Sequence, residues 1–567
     1  MPHLRFSELP YSRPDLVGYK STIDRLSSAI DAASTSQELH RIVEDWNTLR
    51  KHFSTMSSLS DVHYSQNVAD PARKAEKHFY DENTPTVREW NAEIERKLVA
   101  SPFRKDLEGI YGELFFRLLE QNLKVFVPEI KHFMVEESEL CNEYNEITAS
   151  AHIELDGKVY NLSTIGKITV DLDRERRKRA IEAQYKFIGD NGARIDAIFD
   201  RLVKIRTEKA RTLGFPSYTE FRYIEFGRID YGQAEVEAFR QHVIDHVVPL
   251  AMRLREAQAK RLGRESLLLY DEKLQFADGN PVATGEHDFI VDAAKRMYTE
   301  LSPETNEFFE IMLNSELMDL EARDNKATGG YCTSFVDHGV PFIFANFNQT
   351  THDVEVLTHE AGHAFQAYRS RHVAAPEYYW PTSEACEIHS MGMEFLTWPW
   401  MDLFFSEQIE KFKFYHLSGA ILFLPYGCAV DHFQHWVYAN PTASPAERNA
   451  QWKKMEELYL PWRNTSDIPA AEEGRQWQFQ RHIIESPFYY IDYALAQTCA
   501  LQYWKASELD RSAAFADYLK ICDVGGSQSF LEIVKTGNLR SPFDPGCLDD
   551  IVDYAYGWLQ ERYPQYL

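Results

Sequence analysis

Positive charge is scarce in this chain. Of 567 residues, 61 are Lys or Arg and 87 are Asp or Glu, a formal net charge of −26. No basic run interrupts that balance, so neither nucleic acid nor an anionic membrane is expected as a partner. The acidic surface at most weakly favours cationic peptides. Long apolar runs are also missing: the longest, GAILFLPYGCAV at 419–430, is too short to span a bilayer and contains a proline. The run MPHLRFSELPYSRPDL lacks a charged start followed by an apolar core, so no secretory signal is expected. Cysteine is sparse, with seven between Cys141 and Cys547 and no CxxC pair. That pattern fits reduced thiols and a cytoplasmic location. Internal repeats, low-complexity tracts and Ser/Gly linkers are absent, which argues for one continuous body.

What is present is helical texture. Hydrophobic residues make up 44% and aromatics 13%, enough for a large core. Ile23, Leu26 and Ile30 repeat at helical spacing. Thr35-x-x-Glu38 reads as a capping box opening a helix with Leu39, Ile42, Val43, Trp46 and Leu49 on one face. Similar patterns fill 86–150 and 174–262. Two β signals interrupt them: AHIELDGKVYNL at 151–162, a hairpin turning at Asp156-Gly157, and the region 329–347. An N-terminal helical lobe over 1–190, with the hairpin near 151–162, and a catalytic lobe over 191–567 are expected.

Residues 359–363 read His-Glu-Ala-Gly-His. Two histidines four apart on a helix project from one face and can reach one metal ion. A glutamate between them stands where it can take a proton from water. Val354, Leu357, Ala361, Ala364, Phe365 and Tyr368 form an apolar stripe, and His359 lies roughly 200° round the helix from Leu357. The stripe therefore anchors the helix while the histidines face elsewhere. Thr350 and Thr351 are the expected N-caps, with Asp353 and Glu355 in the first turn. The reading is His359 and His363 as ligands of one Zn2+ per chain, with Glu360 as general base.

A third ligand must come from elsewhere. The metzincin continuation fails, because Gln366 and Arg369 replace the required glycine and histidine. The segment Ser383 to Trp398 is a second helix that offers Glu384, Glu387 and Glu394 on one face. The thermolysin spacing ExxxD fails at both Glu384 and Glu387, and no GxMEN motif precedes the zinc helix. Spacing alone does not choose among the three carboxylates.

The two segments together resemble the oligopeptidase family of thimet oligopeptidase and oligoendopeptidase F. Glu387, Ser390 and Glu394 match that family's E-x-x-S-x-x-x-E helix, with Glu387 placed 28 residues after His359. The resemblance implies Glu387 as third ligand, with Glu384 the fallback. It extends to the stretch ATGGYCTSF (327–335), the strand PFIFANF (341–347), and His482 ahead of FYYIDY. It implies that Tyr493 and Tyr490 bind substrate and oxyanion, assisted by His482, with Tyr489 a substrate contact. The thimet branch has a glycine-rich loop between the histidine and the tyrosines. Here the segment is IIESPF, one residue shorter, and offers no hinge.

The resemblance also implies the architecture: a mostly α, two-lobed, multi-helical zincin-like peptidase with a small β-sheet beside the HExxH helix and a deep central cleft. The strand PFIFANF reads as an edge that holds an extended peptide by main-chain hydrogen bonds, with Ala345 and Asn346 as the contacts. Cys332 and Cys386, near the site, are expected as buried packing residues. The expected activity is zinc-dependent hydrolysis of internal bonds in short unstructured peptides. A peptidyl-dipeptidase and a silent peptide-binding module are the alternatives. No oligomeric state follows.

Overall fold

A computed structural model describes residues 5–567. The N-terminal part is a group of packed helices: α1 (Leu16–Ala32), α2 (Ser36–Gln66) and α3 (Pro71–Val99). Each begins on a side-chain oxygen, from Asp15, Thr35 and Asp70, that accepts first-turn amides otherwise left unpaired. The Thr35 box is only half reciprocal. Thr35 Oγ takes the Glu38 amide at 3.2 Å, but the Glu38 carboxylate takes the amide of Ser34, at 2.8 Å. Leu39, Val43 and Trp46 are fully buried on α2, while Ile42 and Leu49 are half-buried at the edge of its face.

Helices α4 (Glu113–Lys124) and α5 (Lys131–Ala149) follow, then a hairpin of β1 (Ile153–Leu155) and β2 (Lys158–Tyr160). Its turn is Asp156-Gly157, both with positive φ. Next comes α6, Arg174–Thr212, of 39 residues. The expected lobe boundary at 190/191 falls inside this continuous helix. The main apolar core runs unbroken from Leu9 to Tyr563.

The second sheet has the order β3-β5-β4, from Met318–Glu321, Val340–Phe347 and Tyr331–Phe335 respectively. β5 pairs parallel with β3 and antiparallel with β4. The expectation that PFIFANF is an edge strand is therefore overturned, because it is the central strand. Ala345 is fully buried and its carbonyl accepts from Lys326 Nζ at 2.5 Å. The Asn346 side-chain amide donates to the carbonyls of Ala327 and Gly329 at 2.9 and 2.8 Å. The run is apolar because it is covered on both faces, a pattern that periodicity cannot distinguish from an edge. The outer strands are β3 and β4.

Four helices carry the rest of the site: α7 (His352–Arg369), α8 (Ser383–Leu396), α9 (Ile409–Ala439) and α10 (Tyr490–Val524). The apolar run at 419–430 lies inside α9, and no described helix is long and apolar enough to cross a membrane. A cleft of about 1230 Å³ opens between residues 158–176 and α7 to α9.

Candidate active site

Helix α7 starts after Thr351, its N-cap as expected, but the Thr351 side chain makes no capping bond. Thr350 Oγ bonds Asn348 Oδ1 at 2.7 Å and Thr351 Oγ bonds the Pro281 carbonyl. Asp353 instead holds the entering turn, taking the amides of Asn348 and Gln349 at 2.9 and 2.8 Å. The predicted stripe is buried throughout, so α7 is anchored and its histidine face is fixed.

What the histidines face is set by Gly362. A Cβ there would lie 2.5 Å from the His389 carbonyl oxygen and 2.7 Å from Ser390 Cα. α7 and α8 thus meet backbone to backbone, a contact that only glycine permits. This brings Glu387 under both rings. Glu387 Oε2 lies 3.3 Å from His359 Nε2 and 3.4 Å from His363 Nε2. Among the described residues these three form the one group of His, Cys or carboxylate ligands that could hold a metal ion. Ligand atoms about 2.0–2.1 Å from a tetrahedral zinc stand about 3.3–3.4 Å apart, so the donor set and its spacing fit zinc.

Burial opposes ionisation of Glu387, but the two imidazoles keep its pKa well below the usual range. Burial likewise opposes a charged His359, but Glu387 and Glu394 hold its pKa well above the ordinary value. Glu360 is 7% exposed, with Oε2 free of any protein partner. Burial is the chief cause of its raised pKa, which suits a base. Gly330, just ahead of β4, leaves its approach open: a Cβ there would stand 3.2 Å from Glu360 Oε1.

Glu394 is not a ligand candidate by position. Its Oε1 takes His359 Nδ1–H at 2.8 Å, which leaves Nε2 as the free donor atom. Its Oε2 takes His416 Nε2–H at 2.8 Å, and the indole of Trp398 donates to His416 Nδ1 at 3.0 Å. An indole N–H can only donate, so this chain fixes the tautomer of each ring in turn. Glu394 is held down to about 2, because these bonds outweigh its burial. The fallback ligand Glu384 is 1% exposed, and neither of its oxygens has a hydrogen-bonding partner. It lies near Arg228 and Tyr231, outside the three-residue ligand group.

The tyrosines close the other side. Tyr489 donates its hydroxyl to Glu387 Oε1 at 2.7 Å. His482 Nε2 meets Tyr493 Oη at 3.2 Å. Behind it, Tyr426 donates to Gln480 Oε1 at 2.8 Å, and the Gln480 amide nitrogen lies 2.9 Å from His482 Nδ1. Gln480 therefore donates to Nδ1, and the ring's remaining proton, on Nε2, goes to Tyr493. The Tyr493 hydroxyl proton is left for another acceptor. Burial holds His482 neutral, with a pKa of about 4. The Tyr490 ring packs 5.3 Å from Tyr493 and 5.1 Å from His482.

The short IIESPF segment is clamped rather than hinged. Arg206, Arg222 and Arg228 donate to the carbonyls of Ile484, Pro487 and Phe488 at 2.6, 3.2 and 2.6 Å. Phe488 sits at φ 67°, rare for a bulky residue, and its amide is held by Gln434 Oε1 at 2.8 Å. These arginines, Gln480, His416 and Trp398 were not singled out by sequence reasoning. Each acts across more than ten residues or through a buried polar contact that leaves no periodic signal. Cys332 and Cys386 are only partly buried, and all seven cysteines are free.

Comparison with known proteins places this geometry in a class. The model for peptidase family M3 matches residues 169–552, and that for the peptidase M3 N-terminal domain matches residues 6–126. The chain belongs to peptidase family M3 and is a metallopeptidase. A Pz peptidase A solved with an inhibitor is 46% identical, with 98% of this chain and 99% of that one covered and a TM-score of 0.97. A candidate oligoendopeptidase F is 45% identical over 100% of both chains, with a TM-score of 0.98. Another, from Bacillus anthracis, is 43% identical over 100% of this chain and 99% of that one, with a TM-score of 0.93. A comparison with curated proteins found no match.

Proposed function

We propose that the chain is a zinc-dependent oligoendopeptidase that hydrolyses internal bonds of short, unstructured peptides, acting in the cytoplasm with its seven thiols reduced. The observation that carries this is the spacing of His359 Nε2, His363 Nε2 and Glu387 Oε2 beside an unpartnered Glu360 oxygen.

Zinc held by these three residues would act as a Lewis acid that makes a water nucleophilic near neutral pH. Glu360 would take the proton of the attacking water on its free Oε2, and its raised pKa makes it a better acceptor. It returns the proton to the leaving amine. Tyr493 donates its hydroxyl proton to the oxyanion, with His482 Nε2–H holding the phenol oxygen from behind. Tyr490 packs against both and completes the wall. Tyr489 supports Glu387, a role that leaves its proton committed. A peptide would lie extended along β4, the outer strand beside Glu360, in place of the Ala345 and Asn346 contacts read from the sequence.

A silent binding module has no use for a buried base with a free oxygen. The test is a quenched fluorescent peptide blocked at both ends. Chelator-sensitive cleavage at an internal bond supports the reading. Cleavage confined to peptides with a free carboxyl terminus would favour the peptidyl-dipeptidase.

A further inference from the structure

The charge of the cleft does not follow the charge of the chain. Four carboxylates line it, and three have a hydrogen-bonding partner in place. Asp171 pairs with Arg176 at 2.5 Å, Glu272 with Arg463 at 2.8 Å, and Glu394 with His416 at 2.8 Å. The fourth, Glu355 at the start of α7, has only His352 nearby, at 3.6 Å. The cations are less well matched. At the end formed by residues 255–273 and 460–463, Arg255 and Lys273 have no carboxylate partner.

Their surroundings sharpen the imbalance. Glu272 is 7% exposed, and Arg463 occupies it from two nitrogens, Nε at 3.1 Å and Nη2 at 2.8 Å. Arg255 spends Nη1 on neutral oxygens, Gln258 Oε1 at 2.7 Å and the Glu272 carbonyl at 2.8 Å, and its Nε has no partner. The Lys273 side chain makes no hydrogen bond or ion pair and reaches solvent in the cleft. Behind them Arg261 bonds only carbonyl oxygens of Gln275 and Tyr566, and its pKa is down to about 10, from burial and the nearby Arg255. Burial also lowers Arg255 and Lys273; the nearby Glu272 charge partly offsets this, and Arg463 repels both. Arg255 is half-buried and Lys273 exposed to the cleft, so both charges are open to an anionic group that enters it.

We infer that Arg255 and Lys273 form a carboxylate-binding subsite at the end of the cleft formed by residues 255–273 and 460–463, one that takes an acidic side chain or the free carboxyl terminus of the peptide. This rests on the peptidase reading and names a substrate class within it. A guanidinium and an ammonium that already face one cavity need little reorganisation to hold a carboxylate. Such a subsite would favour an acidic group at this end, against the weak preference for cationic peptides that the overall charge suggests.

The test separates binding from turnover by using the Glu360→Gln protein and fluorescent peptides of one sequence. The pairs differ only in a carboxyl or amide terminus, or in Glu against Gln at each position. Binding is read by anisotropy. One acidic member of a pair should bind about tenfold more tightly than its neutral twin. That ratio should collapse toward one in the additional variants Lys273→Met and Arg255→Gln. A preference that follows the terminus identifies the chain end as the source, and one that follows a Glu position identifies a side chain. Equal binding of acidic and neutral twins, or a ratio that survives both substitutions, overturns the subsite. Because cleavage is not the readout, failure of the peptidase reading would appear separately, as intact blocked peptide with the unsubstituted protein.

Discussion

Tyr489 donates its hydroxyl proton to Glu387 Oε1 at 2.7 Å, while Glu387 Oε2 faces both histidines. The tyrosine segment and the proposed third ligand are thus one hydrogen-bonded unit. Tyr489→Phe should fold normally and bind zinc about 10-fold more weakly, as loss of a ligand's supporting bond does. Competition with a chromophoric chelator measures this. Unchanged affinity would mean that the bond does not orient Glu387.

Glu387 and Glu384 make a sharper pair. Glu387→Ala should lose tightly bound metal, because two protein ligands hold zinc poorly. Glu384→Ala should keep it, since Glu384 lies outside the ligand group. Metal content after dialysis decides. Full occupancy in Glu387→Ala with loss in Glu384→Ala would reverse the assignment.

Gln480 sets which nitrogen of His482 carries the proton. Gln480→Glu replaces a donor by an acceptor, so His482 Nδ1 becomes protonated and Nε2 turns to accept from Tyr493. The Tyr493 proton is then spent on His482 rather than on the oxyanion. We expect kcat to fall about 100-fold, the scale of losing one oxyanion donor, with KM and metal content little changed. A kcat within twofold of the parent would remove Tyr493 from the proposed role.

The HExxH helix, its apolar stripe and the helix bearing Glu387 could be read from the sequence because each is a local pattern at helical spacing. The hairpin at Asp156-Gly157 was legible for the same reason. The order of the larger sheet was not. PFIFANF is apolar whether it is central or an edge, and only its pairing with Met318–Glu321 reveals which. The chain Trp398–His416–Glu394–His359 and the arginines that grip 484–488 were equally hidden, since such contacts depend on the fold and not on spacing. Gly362 carries no signal of its own in the motif's spacing. Its reason is the 2.5 Å approach of the His389 carbonyl to where a Cβ would be. Gly362→Ala should therefore destabilise the fold by about 1–3 kcal/mol and loosen zinc together. A thermal melt and metal content on one sample check both.

Two buried histidines outside the metal-ligand group predict the acid limit of stability. Burial lowers His389 and His435 to about 4 in the folded chain, against about 6.5 unfolded. Between those values the unfolded chain binds more protons, so stability falls as pH drops from about 7 toward 4. Denaturant midpoints across that range should fall, and His435→Gln should flatten the slope. A midpoint independent of pH would show that these rings are not held neutral.

The central claim is that Glu360 moves the proton while His359, His363 and Glu387 hold the metal. Glu360→Gln keeps the shape and removes the base. The decisive measurement is turnover of an end-blocked peptide by this variant, with its zinc content determined on the same preparation. The account predicts one zinc per chain and almost no cleavage. Substantial cleavage by the zinc-loaded variant would contradict it.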